Sequence, residues 1–245
     1  MRKFFAENEN LIDNKIFIKG LDYNHIKNVL RLKPGENIVV NIGKDKEYEV
    51  KIISFTKDQI ETEIIHSYDV KTEPSIDLSL FQAIPKGEKM EYIIQKAVEV
   101  GVAKIYPIIT HRVIVKLDNK NAKTKTERWQ KISEQASKQN KRGIIPEVFF
   151  PLMIKDAIEL LRKVDLVIIL FENETNTKLR DIISEFDKSI KEIAVFVGPE
   201  GGFTEKEIEM FKDFKIASLG NRILRTETAG LVASAIILYE TGDLG

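Results

Sequence analysis

The alternation of apolar strand patterns with amphipathic helix patterns after about residue 75 most constrains how this chain can fold. Five segments have the composition of strands, several of them apolar on both faces: SIDLSLFQAI, KIYPIIT, DLVIILF, IAVFVG and KIASLG. Helical patterns lie between them, at about 88–100, 124–142, 152–162, 177–186 and 204–214. Strands that are buried on both faces and alternate with helices are typical of a parallel sheet. The sequence therefore predicts an α/β domain.

The first 70 or so residues follow a different pattern, in which turn residues separate short runs rich in Ile, Val, Phe and Tyr. The runs IFIKG, NIVVNIG, EYEVKIISF and QIETEII predict a small β-barrel. One helix is expected within DYNHIKNVLR, with Ile26, Val29 and Leu30 on its apolar side. Because VKTEPS has the composition of a linker, we predict one domain over residues 1–71 and a second over residues 72–245.

Composition argues against several classes of protein. The longest apolar run, LVASAIILY, is far shorter than the roughly 20 residues of a membrane helix, and MRKFFAENEN does not resemble a secretion signal. We therefore expect a cytoplasmic protein with no membrane partner. The chain has no Cys and only three His, which removes cysteine nucleophiles and thiolate zinc sites and argues against any metal site.

The glycine-rich turn GPEGG follows the strand pattern IAVFV, and ligands of parallel sheets bind at such strand ends. The turn lacks the lysine of a phosphate loop, Pro199 removes a backbone donor, and Glu200 would repel a phosphate. It therefore favours a nucleoside-like or cationic ligand. The backbone at Gly201 is expected to approach that ligand closely. The alternative is a simple helix start, since Thr204 and Glu207 form a capping box.

Two basic features suggest an anionic or polar substrate. Between Lys120 and Arg142 the chain has eight basic and two acidic residues, although a solvated helix face is the more usual cause of such a run. In LGNRILRTETA, Arg222 and Arg225 stand between a strand end and a helix start, where a polar substrate would be held. The threonines of this segment, Thr226 and Thr228, are expected to cap the helix.

The motifs GPEGGFTEKEIE and LGNRILRTETA resemble the paired signature of the SPOUT-class, or α/β-knot, methyltransferases. In this form they are similar to the bacterial family that methylates N3 of a uridine in 16S ribosomal RNA. HIKNVLRLKPGE, QKAVEVGV and RWQKISEQASKQNKRGIIP are similar to further segments of that family, so the likeness extends over most of the chain. Val98, Gln135 and Asn221 depart from it, since the family has Thr or Ser, Glu and Pro there.

The resemblance implies a PUA-like N-terminal domain, an α/β domain with a C-terminal trefoil knot, and S-adenosyl-L-methionine as the cofactor. It also implies a homodimer and a substrate that is 16S ribosomal RNA or the small ribosomal subunit. RNA contacts are expected from His25, Arg31, Arg112, Lys138, Lys141 and Arg142. The cofactor-binding residues that the likeness indicates are Leu170, Phe171, Glu172, Val197, Gly198, Pro199, Glu200, Gly201, Gly202, Leu219, Gly220, Ile223, Leu224, Arg225, Thr226, Thr228 and Ala229.

The absence of Cys is consistent with methylation at N3, because methylation at C5 of uracil commonly uses a cysteine nucleophile. N3 must lose its proton, so a base and a nearby cation are needed. We interpret Arg225 or Arg222 as the cation and Glu200 or Glu227 as the base. A related transfer RNA or ribose 2′-O methyltransferase and an inactive RNA-binding assembly factor remain as alternatives.

Overall fold

The computed structural model describes residues 2–43, 46–112, 119–187 and 189–244. The chain forms two compact units. The first, called the N-terminal unit below, contains Met1–Glu73 together with Ser137–Ile144. The second, called the C-terminal unit, contains Pro74–Ala136 and Ile145–Gly245. The sequence pattern gave no sign that the chain returns to its first unit after residue 136.

The N-terminal unit is built on a six-stranded sheet. Its strands are β1 (Lys3–Ala6), β2 (Leu11–Ile12), β3 (Lys15–Lys19), β4 (Asn37–Ile42), β5 (Lys46–Phe55) and β6 (Gln59–Asp69). Their order is β1-β4-β5-β6-β3-β2, with β1 parallel to β4 and every other pair antiparallel. Strands β3 to β6 were predicted from their composition, whereas β1 and β2 are additional.

A short helix of the N-terminal unit, α1 (Gly20–Asn24), continues directly into a π-helical segment at His25–Val29. Ile26 is fully buried, as predicted, but Val29 is 70% exposed. The prediction that Val29 faces the core is wrong because a π-helix has a wider turn than the expected α-helix. The Leu30 N–H bonds to the carbonyl oxygen five residues back, that of His25, at 2.9 Å.

The C-terminal unit has a parallel sheet, so the predicted mixed α/β fold is confirmed. The strands are β7 (Asp77–Ala83), β8 (Lys104–Ile109), β9 (Glu147–Val148), β10 (Leu152–Met153), β11 (Leu166–Leu170), β12 (Glu192–Val197) and β13 (Lys215–Ala217). Their order is β10-β8-β7-β12-β11-β13, and β9 pairs with β8. The five longest correspond to the five predicted strands, whereas β9 and β10 are two-residue strands that composition does not reveal.

Six helices cover the two faces of this sheet among the described residues. They are α2 (Lys89–Val100), α3 (Asn119–Gln139), α4 (Ile154–Leu161), α5 (Leu179–Ile183), α6 (Glu205–Met210) and α7 (Thr226–Glu240). Alternate residues of each strand point to opposite faces, so Ile168 and Leu170 join a core with α2, α3, α5 and α7. Val167 and Ile169 join a second core with α4 and α6. This arrangement explains why β11 is apolar on both faces.

The order of the strands brings three loops together. Strand β11 lies between β12 and β13, and all three run parallel, so their carboxyl ends share one edge of the sheet. Helix α7 then crosses back to pack on β7, β12 and α2. None of the described helices combines the length and the apolar content that a membrane span requires.

Candidate active site

A cavity of about 650 Å³ opens where β11, β12 and β13 end. The loops that follow these strands line it, together with the first turn of α7 and Lys89 of α2. Every residue predicted to bind the cofactor lines this cavity except Thr228, which is exposed on the first turn of α7. The sequence reasoning did not select the lining residues Lys89, Glu174, Thr175, Lys178, Ser218 and Asn221.

The loop GPEGG has little room for side chains. A Cβ at Gly198 would lie 3.0 Å from the ring of Phe203. At Gly202 the backbone is left-handed, with φ +66°, and a Cβ would lie 2.3 Å from Glu172 Oε1. The left-handed glycine of this loop is therefore Gly202, whereas the expected close approach of a ligand to the backbone at Gly201 stays a prediction. A Cβ at Gly201 would make only an ordinary contact, 3.4 Å from Arg112 Cδ.

The start of α6 forms the predicted capping box. Thr204 Oγ1 accepts from the Glu207 N–H at 3.3 Å, and Glu207 Oε2 accepts from the Thr204 N–H at 2.8 Å. Glu207 is buried, and its Oε1 accepts from the His111 N–H at 2.8 Å. The Glu207 carboxylate therefore caps α6 and also holds the backbone at His111, just after the end of β8. Capping accounts for FTEKE, while the glycines before it shape the cavity.

Thr226 joins the GPEGG loop to α7. Its hydroxyl donates to the carbonyl oxygen of Gly198 at 2.7 Å and accepts from Gln82 Nε2 at 2.9 Å. The expectation that Thr226 or Thr228 caps α7 is wrong, because the residue in the capping position is Arg225, which makes no side-chain cap. The buried Gln82, at the end of β7, was not predicted as a site residue.

The candidate catalytic carboxylates meet at Lys89, the first residue of α2. Lys89 Nζ lies 3.2 Å from Glu200 Oε1 and 3.3 Å from Glu227 Oε2. Partial burial tends to raise the pKa of the Glu200 carboxyl, but hydrogen bonds from its own N–H, from Lys89 and from the Lys86 N–H outweigh burial and leave that pKa below its usual value. The hydrogen bond to Glu200 is also the largest cause of the raised pKa of Lys89.

The candidate catalytic arginines are open to solvent. Arg222 and Arg225 both line the cavity, and the side chain of Arg225 is 83% exposed. Arg225 Nη1 lies 4.0 Å from Glu227 Oε1, a loose pairing that solvent weakens. Both guanidinium groups are therefore available to a ligand that enters from the solvent side.

Arg112, predicted to contact RNA, lies beside the GPEGG loop, where its Nη1 donates to the carbonyl oxygen of Gly201. A side chain at Gly201 would therefore meet Arg112. On the neighbouring loop, Glu174 Oε1 accepts from the Asn176 and Thr177 N–H groups, and these bonds lower the pKa of Glu174. The GPEGG loop is thus held by the side chain of Arg112, and the neighbouring loop is held by the carboxylate of its own Glu174.

Five residues predicted to contact RNA lie in the N-terminal unit, but not all are free to do so. His25, Arg31 and Lys141 are exposed. Lys138 Nζ pairs with Asp22 Oδ1 at 2.6 Å. The side chain of Arg142 is only 4% exposed, and its Nη2 lies 2.5 Å from Glu73 Oε2. This burial gives Arg142 a structural role in place of the predicted phosphate contact, because a phosphate would have to displace the Glu73 carboxylate.

Within the described ranges, no group of three or more His, Asp or Glu side chains is placed to share a metal ion. The cavity itself offers glycine backbone, the carboxylates of Glu172, Glu174 and Glu200, and several basic side chains, two of them arginines. Two family models match the chain: an RNA methyltransferase domain over residues 72–238 and an RNA methyltransferase PUA domain over residues 18–65.

The chain belongs to the RNA methyltransferase family. Among the relatives of this RNA methyltransferase is ribosomal RNA small subunit methyltransferase E of Bacillus subtilis (strain 168), 34% identical over 91% of this chain and 90% of the relative. The protein of the same name from Aquifex aeolicus (strain VF5) is 31% identical over 97% and 99% of the two chains. The predicted family and the predicted PUA-like N-terminal domain are thus confirmed.

The fold of this RNA methyltransferase is also similar to a crystal structure of a ribosomal RNA small subunit methyltransferase E from Neisseria gonorrhoeae. The two share 32% identity with a TM-score of 0.82, over 98% of this chain and 97% of the other. That structure is bound to S-adenosyl methionine. The likeness therefore extends over both units of the chain, each with its counterpart in a cofactor-bound methyltransferase.

Proposed function

We propose that this RNA methyltransferase transfers a methyl group from S-adenosyl-L-methionine to N3 of a uridine in the 16S ribosomal RNA of the small subunit. The names of the relatives support the small-subunit substrate, and the cofactor in the Neisseria gonorrhoeae structure supports the methyl donor. The observation that carries the proposal is the cavity at the ends of β11, β12 and β13, whose glycine loop has a carboxylate where a phosphate loop has a lysine.

The cavity fits such a cofactor. S-adenosyl-L-methionine has a sulfonium, an ammonium and a carboxylate but no phosphate, so it suits a wall of mixed charge. Glu172, Glu174 and Glu200 supply negative charge, while Lys178 and Arg222 supply positive charge. The absence of side chains at Gly198 and Gly202 lets Phe203 and Glu172 pack directly against the loop backbone, which fixes the shape of this wall of the cavity. The holders of the cofactor would be the lining residues predicted from the sequence.

The cofactor supplies an electrophilic methyl group when it is bound, and the chain must prepare N3 of the uracil to accept it. Arg225 or Arg222 would stabilise the negative charge that the base gains as its N3 proton leaves. Glu200 or Glu227 would accept that proton. Because the pKa of Glu200 lies below its usual value, its carboxylate is ionised at neutral pH and ready to act as an acceptor, although a weak one.

RNA recognition would fall to the N-terminal domain and to the loop beside the cavity. Exposed His25 and Arg31 of that domain, and exposed Lys141 of the segment that follows α3, suit contacts with phosphates and unpaired bases. Arg112 stands next to the GPEGG loop. We assign this domain to residues 1–71, with a barrel form, and the methyltransferase domain to residues 72–245. The match of the PUA model to residues 18–65 supports the first assignment.

The C-terminal segment would form a trefoil knot. Strand β13 lies at one edge of the sheet beside β11, and the chain then returns across the strand ends to pack α7 on β12 and β7. This return supports the knot that the SPOUT likeness implies, although knots are very rare in proteins as a whole.

A homodimer is the proposed assembly. Helix α7 buries Ala233, Ile237 and Leu238 in its own unit but leaves Ile236 and Tyr239 exposed. These two side chains lie in the mostly apolar stretch of α7 between Ala229 and Tyr239, and a second copy of the chain would cover them. We place the protein in the cytoplasm, where ribosomal RNA is modified in bacteria.

Mass spectrometry of ribosomal RNA after incubation with the protein and labelled cofactor tests the function. We expect one added methyl group on one 16S uridine, and nucleoside analysis should identify it as 3-methyluridine. A methylated ribose or a methylated transfer RNA would favour the related enzymes instead. Failure to bind S-adenosyl-L-methionine in calorimetry would favour an RNA-binding assembly factor without catalysis.

A further inference from the structure

Lys89 connects three elements of the C-terminal unit. It is the first residue of α2, and its ammonium contacts Glu200 of the GPEGG loop and Glu227 of α7. The Lys86 N–H, in the turn before α2, also donates to Glu200 Oε1 at 3.2 Å. The side chain of Glu227 is mostly buried, whereas those of Glu200 and Lys89 are about one third exposed. The cluster therefore lies at the rim of the cavity and not deep within it.

Helix formation does not explain a lysine at this position. The amino terminus of a helix carries partial positive charge, so an acidic residue stabilises the first turn and a basic residue does not. Two carboxylates that share one partner would also repel each other if that partner were removed. The contacts of Lys89 thus compensate for its unfavourable place on α2, and they hold the loop and the first turn of α7 to the same point.

We propose that Lys89 is a positioning residue for methyl transfer, which holds Glu200 and Glu227 in one cluster and so fixes the GPEGG loop against the start of α7. This inference rests on the proposed function. The lysine touches neither the methyl group nor the uracil. It acts through the two carboxylates, keeping each in a constant position at the rim of the cavity.

Lys89→Met removes the charge and keeps most of the volume, while Lys89→Arg keeps the charge. Lys96→Met is the matched control, because Lys96 lies on the same helix and has a similar exposure. Its Nζ lies 2.7 Å from Glu99 Oε2, and neither residue lines the cavity. For Lys89→Met we expect kcat to fall by roughly tenfold or more, with little change in the KM for RNA. Lys89→Arg should recover most of that loss, and Lys96→Met should behave as wild type.

Two titrations test the cluster, and the first of them, the pH profile of kcat, is a readout that a purely structural residue would not change. Without the lysine the pKa of Glu200 rises, so more of its carboxylate is protonated at a given pH. The acidic limb of the kcat profile should therefore move to higher pH. In the protein without cofactor or RNA, the carbon-13 signal of the Glu200 carboxyl should titrate at a correspondingly higher pH.

The wild-type protein tests the proposed function, and the Lys89 variants test the positioning role. Absence of methyl transfer in the wild type would count against the proposed function, whereas the carboxyl titration would still report on the cluster. Wild-type kcat and an unmoved pH profile in Lys89→Met would overturn the positioning role. Circular dichroism follows folding, and Lys89→Gln is a second variant. If both Lys89→Met and Lys89→Gln unfold, the lysine serves stability and the inference is wrong.

Discussion

The hydroxyl of Thr226 donates a 2.7 Å hydrogen bond to the carbonyl oxygen of Gly198, across 28 positions of sequence. The same hydroxyl accepts from Gln82 Nε2, so the ends of β7 and β12 and the first turn of α7 share one polar contact. Gly198 and Thr226 both line the cavity. The shape of the cavity therefore depends on an interaction between its two most distinctive sequence motifs.

Thr226→Val should destabilise the protein and weaken cofactor binding. The substitution removes the hydroxyl that donates to the Gly198 carbonyl and accepts from Gln82 Nε2. Leaving such buried groups without a partner costs about 1–3 kcal/mol of unfolding free energy. Urea unfolding measures the stability, and calorimetry with S-adenosyl-L-methionine measures the affinity. Thr226→Ser keeps the hydroxyl and serves as the control, so an equal loss in both variants would contradict the role of the hydrogen bond.

Gly202→Ala should weaken cofactor binding, whereas a variant with a similar loss of stability elsewhere should not. The left-handed backbone costs about 1–2 kcal/mol with a Cβ, and that Cβ would push Glu172 from its place. Gly242→Ala is the matched control, because Gly242 also has a positive φ, of +81°, but has open space around it and lies past the end of α7. Both variants should lose similar stability. Equal cofactor affinity in the two would show that Gly202 does not shape the site.

Arg142→Gln should lower the stability of the protein more than it lowers RNA binding. Breaking a buried ion pair by removing one partner typically costs about 3–5 kcal/mol, and here Glu73 would be left without its guanidinium. Lys141→Gln, at an exposed neighbour, should instead leave stability unchanged and lower the salt dependence of RNA binding by about one phosphate contact. An unfolding midpoint of wild-type value in Arg142→Gln would contradict this assignment.

Arg225→Lys should reduce turnover much more than RNA affinity. Lysine keeps the charge but loses the planar fork that orients two hydrogen bonds toward a developing anion. Because Arg225 is exposed and only loosely paired with Glu227, the substitution should not affect folding. Single-turnover rates and filter binding with the same RNA separate the two effects. Parallel losses of rate and affinity would make Arg225 a binding residue only.

Ile236→Asp should yield monomers that transfer little methyl. A charge at an exposed position of α7 would be harmless in a monomer but costly within an apolar interface. Sedimentation should give twice the chain mass for the wild type and one chain mass for the variant. Ala233→Arg does not serve this purpose, because Ala233 is buried within its own unit. A fully active wild-type monomer would contradict the dimer.

The sequence predicted the parallel sheet and the cavity well because both follow from local patterns. Runs such as DLVIILF are apolar on both faces, which is typical of a strand in a sheet that helices cover on both sides. The glycine-rich loop GPEGG stands at the end of another such strand. Nearly all the residues that were expected to surround the cofactor do line one cavity. Most of these residues belong to the two family motifs near the C-terminus, whereas Leu170, Phe171 and Glu172 stand at the end of the strand DLVIILF.

The interactions that the sequence could not predict join residues far apart in the chain. Lys89 meets Glu200 and Glu227 across more than a hundred positions, and no spacing rule relates them. Arg142 was predicted as an RNA contact because it belongs to a basic segment, but its partner Glu73 lies 69 positions away. The prediction that Val29 faces the core was wrong for a local reason, since composition does not distinguish a π-helical turn from an α-helical one.

The buried pair of Glu73 and Arg142 limits how the N-terminal unit can be exchanged between proteins. The unit is completed by residues 137–144, so a fragment cut after residue 73 would lose the Arg142 guanidinium and the N–H groups of Gly143 and Ile144, all of which bond to Glu73. A fusion or recombination event that moved the first 73 residues alone would therefore leave the carboxylate at the end of the fragment without these partners. Inheritance of this unit is thereby tied to inheritance of the segment that follows α3.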